Sequence, residues 1–188
     1  LNERRLEKQA KIIDKLNSKM NIRILKGAEV DILKNGRLAL SRKAQDKLDI
    51  VLGSIHSGFK TPEKEMTERI CRALENDRVH IFAHPTGRLL EQRKPYALNF
   101  DKLFDCAKRT NTLLEINCYP ERMDLNGEQA KAAKEFGCKF SIGTDSHSVE
   151  HLHFLKLGAA LARRGWLSKK EILNAWSLKE IEKFLRSK

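Results

Sequence analysis

Short apolar runs that end in a histidine, an amide or a carboxylate recur along this chain at nearly constant intervals. The interval is 27 residues from Glu29 to His56, 28 to His84, 33 to Asn117 and 28 to Asp145. One parallel β-strand with its crossover helix occupies about 30 residues. The spacing therefore predicts five successive βα units, which form either a parallel sheet or a barrel.

The apolar runs and the helical periodicities give the expected element boundaries. Strands are predicted at 22–32, 49–56, 79–83, 112–117 and 138–142, and helices at 1–19, 41–47, 61–74, 99–109, 127–136 and 149–164. Thr61 and Pro62 are predicted to occupy the N-cap and the first helical position. The sequences Asn126-x-x-Gln129, Ser168-x-x-Glu171 and Ser177-x-x-Glu180 resemble capping boxes, so two short helices are expected near the C-terminus.

The composition describes a single domain that favours anionic partners. The chain has 188 residues and a formal net charge of +12, and a basic surface attracts polyanions such as nucleic acid. No apolar run approaches the roughly 18 residues of a membrane span, and no signal peptide is recognisable. The four cysteines form no C-x-x-C pair, which predicts free thiols in the reducing cytoplasm. The charged, helical start without methionine suggests a segment of a longer protein.

Five residues at the strand ends have the chemistry of metal ligands: Glu29, His56, His84, Asp145 and His147. The carboxyl ends of parallel strands meet on one face of a barrel, where active sites are built. On an extended backbone Asp145 and His147 would project to the same side. Imidazoles and carboxylates suit a pair of divalent ions that acts on a phosphoryl group. The alternative is that Asp145 caps the next helix and His147 is an ordinary surface residue.

Other polar residues allow two interpretations each. Glu115 and Asn117, two positions apart on one strand, are predicted either to orient metal ligands or to form a core hydrogen-bonded pair. Four basic residues follow strand ends and suit phosphate contacts, or are simply solvated loop charges: Arg88, Arg93, Lys94 and Arg122. Three histidines lie outside the strand-end pattern and are expected on the surface or on helices: His80, His151 and His153.

The strand-end segments form an ordered set of motifs: Gly27-Ala28-Glu29-Val30-Asp31, Ser54-Ile55-His56-Ser57, Ala83-His84-Pro85-Thr86-Gly87-Arg88, Glu115-Ile116-Asn117 and Gly143-Thr144-Asp145-Ser146-His147. Together they resemble the polymerase-and-histidinol-phosphatase (PHP) superfamily over essentially the whole chain. Segments 66–70, 84–90 and 162–167 are similar to the PHP domain at the C-terminus of family X DNA polymerases.

The resemblance implies a distorted (β/α)7 TIM-like barrel with up to three divalent ions, manganese or zinc, with iron as a third candidate. In it Glu29 would bridge two ions, His56 and His84 would bind one of them, Asp145 would complete the other, and His147 would serve the third. It also implies phosphoester hydrolysis, here 3′→5′ exonuclease or related 3′-end processing of DNA, beside an upstream nucleotidyltransferase domain.

The chain departs from the superfamily pattern at its start. The expected His-x-His strand and the following strand ending in Asp-His are not found, so residues 1–188 are interpreted as one PHP domain without its first two βα units. Such a partial barrel has two open sheet edges, which favours pairing with another chain. Two other functions remain open: a non-catalytic module that positions DNA or braces a polymerase, and a histidinol-phosphatase-like enzyme acting on small phosphate esters.

Overall fold

The computed structural model describes residues 2–188, and five parallel strands form its single sheet. The strands are β1 (Gly27–Asp31), β2 (Ile50–Ser54), β3 (Ile81–Phe82), β4 (Leu113–Asn117) and β5 (Phe140–Gly143). They are hydrogen-bonded in the order β1-β2-β3-β4-β5, so each strand lies beside its neighbour in sequence. This order is that of a β/α barrel rather than of a doubly wound sheet, and it confirms the predicted α/β class.

Seven α-helices accompany the sheet in the described part of the chain: α1 (Glu3–Asn17), α2 (Arg42–Gln45), α3 (Glu63–Leu74), α4 (Phe100–Arg109), α5 (Gly127–Glu135), α6 (Leu155–Arg164) and α7 (Leu178–Arg186). Two short 3₁₀ segments, Glu150–Phe154 and Leu173–Ala175, precede α6 and α7. None of the helices in residues 2–188 has the length and apolarity that a membrane crossing requires.

The two faces of the sheet are covered differently. On one face Val30, Val51, Phe82, Leu114 and Phe140 pack with the apolar sides of α3, α4, α5 and α6 in the main core. On the other face Ile81 and Leu113 pack with Leu173 and with Phe184 of α7 in a second, smaller cluster. Glu29 is paired in register with Leu52, whose neighbour is Ile81, so its side chain belongs to this second face.

The first strand is shorter than its sequence predicts. The prediction placed a strand over 22–32, whereas β1 begins at Gly27. The side chain of Asn17 explains the difference, because its carboxamide accepts from the N–H of Ile24 (2.7 Å) and donates to the carbonyl of Ile24 (2.9 Å). These backbone groups are the ones that a strand partner would otherwise use.

Two of the predicted helix starts are also wrong. Helix α3 begins at Glu63, and Pro62 occupies the N-cap without a side-chain bond, because the N–H of Thr61 closes a turn on Gly58. The segment after Ser168 forms a turn instead of a helix. In it the carbonyl of Glu171 accepts from Phe140 of β5, which takes this residue out of helical geometry. The capping boxes at Asn126 and Ser177 are confirmed.

The predicted pair of open sheet edges is half wrong. Ile172 forms a parallel bridge with Phe140, and the Asn174 side chain exchanges two hydrogen bonds with the backbone of Ile142 (2.7 and 3.0 Å). The segment that follows α6 thus occupies the outer edge of β5. At the opposite side of the sheet, β1 pairs only with β2 among the strands of residues 2–188.

Candidate metal centre

Three of the predicted ligands meet above the carboxyl ends of β1, β2 and β3. One ligand atom each from Glu29, His56 and His84 lies within 4.8 Å of the other two. Both imidazoles point Nε2 at the same oxygen, Glu29 Oε1, at 3.0 Å from His56 and 2.8 Å from His84. Their ring centroids are 5.3 Å apart. Two borderline nitrogen ligands and one carboxylate on a common centre form a donor set that suits zinc, manganese or iron.

A hydrogen bond to Asp31 orients the imidazole of His56. Its Nδ1 lies 2.6 Å from Asp31 Oδ1, so an Nδ1–H donated to this carboxylate leaves Nε2 free to act as a ligand. The hydrogen bond to Glu29 raises the pKa of His56 above the ordinary value, against the effect of burial and with further help from Asp31. Asp31 was not among the predicted site residues, although its position two residues after Glu29 on β1 was the available signal.

The Glu29 carboxyl group is the negatively charged centre of the three-residue cluster. Burial would raise the pKa of this carboxyl, but its hydrogen bonds with His56 and His84 outweigh that effect and hold the pKa far below the usual glutamate value. A carboxylate that stays ionised between two imidazoles is electrostatically suited to a cation. A divalent ion between Glu29 and the two imidazoles would offset this negative charge.

His84 is the buried member of the group and is fixed through its backbone. Its N–H donates to Glu115 Oε2 at 2.6 Å, and Glu115 also accepts from the Asn117 amide at 3.3 Å. Burial raises the pKa of Glu115 to about 7, against the opposing effect of the His84 charge. His84 Nδ1 is buried and has no hydrogen-bond partner. The backbone of His84 has φ of 30°, a left-handed value that this carboxylate helps to maintain.

The loop after His84 depends on a residue that sequence reasoning missed. Asp124 is fully buried, and its carboxylate accepts the backbone N–H groups of Thr86 and Gly87 at 2.9–3.2 Å. Burial raises the pKa of Asp124 despite these bonds. No strand end or recognisable spacing marked this position, because its role arises from a contact across 38 residues.

Asp145 lies beside the cluster but outside the group of three. Its Oδ2 accepts from Arg122 Nε at 3.0 Å and from the Asn117 amide at 3.1 Å. Through Asn117 and Glu115 it is linked by hydrogen bonds to the backbone of His84. Its φ of 51° is left-handed, so the alternation expected for an extended Asp145–His147 segment does not apply.

His147 is the most exposed of the five predicted ligands, with 75% of its side-chain surface accessible. Its Nδ1 lies 2.7 Å from the carbonyl of Asp145, and 4.0 Å from the carboxylate of the same residue. Its backbone N–H donates to His151 Nδ1 at 3.1 Å. The structure therefore keeps His147 near Asp145, and within residues 2–188 its Nε2 forms no hydrogen bond.

Three of the four basic residues predicted for phosphate contacts form hydrogen bonds or ion pairs within the protein. Arg88 donates to the carbonyls of Arg122 and Met123, and Arg122 pairs with Asp145. Arg93 donates to the carbonyl of Gly87 and stacks its guanidinium 3.9 Å above the Phe59 ring. Lys94 is exposed. These bonds orient the strand-end loops, and Lys94 has the greatest freedom to meet a solvent-borne anion.

The prediction for His80 is wrong. It was expected on the surface or on a helix, yet it precedes β3 with no accessible surface. Its Nδ1 accepts from the Val51 N–H at 3.1 Å, and its ring contacts Phe184 of α7 edge-on. Burial lowers the pKa of His80 to about 4, with a further contribution from Arg78. Helix α7 packs against His80 and buries it, and no local sequence pattern around His80 predicts this contact.

The fold and this cluster define a β/α-barrel-type domain with candidate metal ligands at the carboxyl ends of its strands. Over 187 residues, 99% of the chain, it is 46% identical to the DNA polymerase/3′-5′ exonuclease PolX of Bacillus subtilis (strain 168), and covers 33% of that protein. It is 28% identical over 177 residues to a probable phosphatase of Thermoanaerobacter sp. (strain X514), covering 69% of it. It is also 31% identical over 140 residues to a probable phosphatase of Clostridium acetobutylicum, covering 53% of it. No family model matches the chain.

The chain is similar to proteins of the PHP superfamily and to the PHP part of family X DNA polymerases. It spans about one third of the length of the PolX relative and about two thirds of the length of the Thermoanaerobacter phosphatase.

Proposed function

We propose that this chain carries a metal-dependent phosphoesterase centre that processes the 3′ ends of DNA. The observation that supports the proposal most directly is the convergence of Glu29, His56 and His84, whose ligand atoms lie within 4.8 Å of one another. Three donors that lie in or just after three neighbouring strands and share one centre form an arrangement that suits a divalent ion. The accompanying Asp31 bond to His56 is the kind of support that orients metal-bound imidazoles.

In this proposal Glu29, His56 and His84 hold one ion, Asp145 contributes to a second, and His147 serves a third. Manganese or zinc is the expected metal, with iron as a third candidate, because imidazole and carboxylate ligands suit each of them. Bound divalent ions supply a Lewis acid that activates water and offsets charge on the phosphoryl group. Glu115 and Asn117 keep His84 and Asp145 in position, and because Arg122 and Asn117 both bond Asp145 Oδ2, Asp145 Oδ1 is the atom that would bind an ion.

DNA is the proposed substrate, and a nucleotidyltransferase domain in the same protein is the proposed partner. The 46% identity to a protein named as a polymerase and 3′-5′ exonuclease supports both proposals, as does the net charge of +12. Lys94, exposed on the loop after β3, is the first basic residue that we expect to meet the DNA backbone. The four free cysteines suit a reducing compartment such as the cytoplasm.

Two other functions have specific support and are distinguished by experiment. The relatives named as probable phosphatases favour a small-molecule phosphatase of the histidinol-phosphatase kind. The pairing of Asp145 with Arg122 favours a non-catalytic module that positions DNA, because this ion pair occupies a predicted ligand.

The test uses the full-length protein that contains this chain, loaded with manganese. It measures release of nucleotides from a 3′-labelled oligonucleotide and turnover of p-nitrophenyl phosphate. His84→Ala should abolish the first activity, and His153→Ala, which alters an exposed histidine outside the cluster, should not. Unchanged exonuclease rates in both His84→Ala and Asp145→Ala would overturn the proposal. Turnover of the monoester but not of DNA ends would establish the phosphatase, and less than one tightly bound ion per chain would establish the non-catalytic module.

A further inference from the structure

A basic groove lies at the end of the sheet opposite the candidate metal centre. It has a volume of about 520 Å³, and its lining includes Lys139, Lys169, Lys170, Lys183 and Trp176. Lys139 immediately precedes β5, whereas the candidate ligands follow the strands. The groove is therefore formed at the amino ends of the strands, and the length of the strands separates it from Glu29, His56 and His84.

The four lysines of this groove outnumber the acidic residues that line it, of which there is one. Within residues 2–188 none of these four lysines forms an ion pair. Other lysine and arginine side chains in the same residues do pair with carboxylates. All four are exposed. The one acidic residue that lines the groove, Glu180, accepts the backbone N–H and the hydroxyl of Ser177 at 2.7 and 2.6 Å in the α7 cap. The groove thus keeps an excess of positive charge that an external anion can neutralise.

An aromatic wall gives the groove a second binding property. The indole of Trp176 is held by an Nε1–H bond to the Lys170 carbonyl (3.1 Å) and by edge-on contact with Phe184. Lys139 places its ammonium 5.2 Å from the centre of the Trp176 ring. Single-stranded nucleic acid is bound by this combination of lysines that follow the phosphates and an aromatic surface that contacts bases. A duplex keeps its bases stacked inside and would use only the charges.

We propose that Lys139, Lys169, Lys170 and Lys183 around Trp176 form a second contact site for single-stranded nucleic acid, distinct from the hydrolytic centre. Four phosphate contacts of this kind predict a strong dependence on salt, with a log–log slope of about −0.7 for each contact. The groove would hold a strand away from the metal ligands, so it contributes to affinity and retention of the nucleic acid rather than to bond cleavage. The proposal does not depend on metal binding by Glu29, His56 and His84.

The test measures binding of oligothymidylate of about 12 nucleotides to the full-length protein in EDTA, so that hydrolysis does not interfere. One variant replaces the four groove lysines by glutamine. Its matched control replaces four exposed lysines outside the groove: Lys8, Lys19, Lys34 and Lys64. Between about 50 and about 200 mM salt, the affinity of the natural protein should fall about 50-fold more than that of the groove variant. Equal effects of the two sets of substitutions would overturn the proposal.

Two further measurements locate the contact and identify its chemistry. Oligothymidylate should protect the four groove lysines from acetylation in the unaltered protein, and protection elsewhere without these four would contradict the proposal. Polyglutamate of equal charge should protect them less, and equal protection would show a general anion surface instead. Trp176→Ala should weaken binding about 5- to 150-fold, whereas Trp176→Phe retains an aromatic surface and should preserve most of the affinity. Unchanged affinity in Trp176→Ala would exclude base contact.

Discussion

His84 Nε2 lies 2.8 Å from Glu29 Oε1, although 55 residues separate the two side chains in the sequence. Glu29 belongs to β1 and His84 follows β3, so the contact spans the intervening strand β2. His56, which follows β2, reaches the same oxygen. The sequential strand order thus places successive strand ends next to one another, and this is the physical basis of the candidate metal centre.

Replacing Glu29 by glutamine should lower the pKa of His56 towards its ordinary value. The carboxylate of Glu29 is the main cause of the raised pKa of His56. The interaction between Glu29 and protonated His56 therefore stabilises the fold below the unfolded pKa of the imidazole. This stabilisation is lost as the pH rises through the folded pKa. NMR titration of the imidazole protons in metal-free protein measures the change. Glu68→Gln, at an exposed residue near Arg72, is the control and should leave the titration unaltered. Retention of the raised pKa in Glu29→Gln would disprove this coupling.

Arg122→Gln should destabilise the metal-free protein by about 3 kcal/mol, because Asp145 loses the partner of a mostly buried ion pair. Urea denaturation measures the loss. If Asp145 binds a metal ion, manganese should reduce the deficit, since the cation then compensates the carboxylate. The matched control is Arg109→Gln, whose partner Glu75 is exposed, and it should cost no more than about 1 kcal/mol. A deficit that manganese leaves unchanged would count against Asp145 as a ligand.

Gly143→Ala should disturb the support of His84 without altering any predicted ligand. A Cβ at this position would collide with Glu115 Oε1, so the carboxylate that accepts the His84 N–H would have to move. Forced repacking of this kind costs about 1–3 kcal/mol. Thermal unfolding and manganese titration should therefore both show weakening. Ser141→Ala, on the same strand, adds no atoms and serves as the control. Wild-type manganese affinity in Gly143→Ala would show that Glu115 does not position His84.

His80 should make the protein sensitive to acid. Burial lowers the pKa of His80 to about 4 in the folded state, whereas the unfolded value is about 6.5. The contribution of the neutral His80 side chain to stability is therefore present above pH 6.5 and is lost as the pH falls towards 4. Lowering the pH from 7 to 4.5 should cost the natural protein about 2–3 kcal/mol more than His80→Asn, which keeps an acceptor for the Val51 N–H. Urea denaturation at the two pH values measures this difference. Equal losses would contradict a buried neutral imidazole.

The success of sequence reasoning about the fold depended on local patterns. The apolar runs before His56, His84, Asn117 and Asp145 marked the strands, because parallel strands buried on both faces require such runs. The failures came from contacts with distant residues. Asn17 bonds the backbone of Ile24 and delays β1, and Phe140 takes the carbonyl of Glu171 and prevents a helix. A local capping or strand pattern does not indicate which distant residues will form these hydrogen bonds.

The same division applies to the site. The sequence by itself determined that ligand-type residues occur once per βα unit and that they follow the strands, because the strand period and the crossover length are local properties. Only the tertiary structure decided that Glu29, His56 and His84 share one centre, that Arg122 pairs with Asp145, and that α7 encloses His80. Such contacts depend on sheet curvature, backbone dihedrals such as the left-handed φ of Asp145, and packing between distant segments, none of which follows from residue spacing.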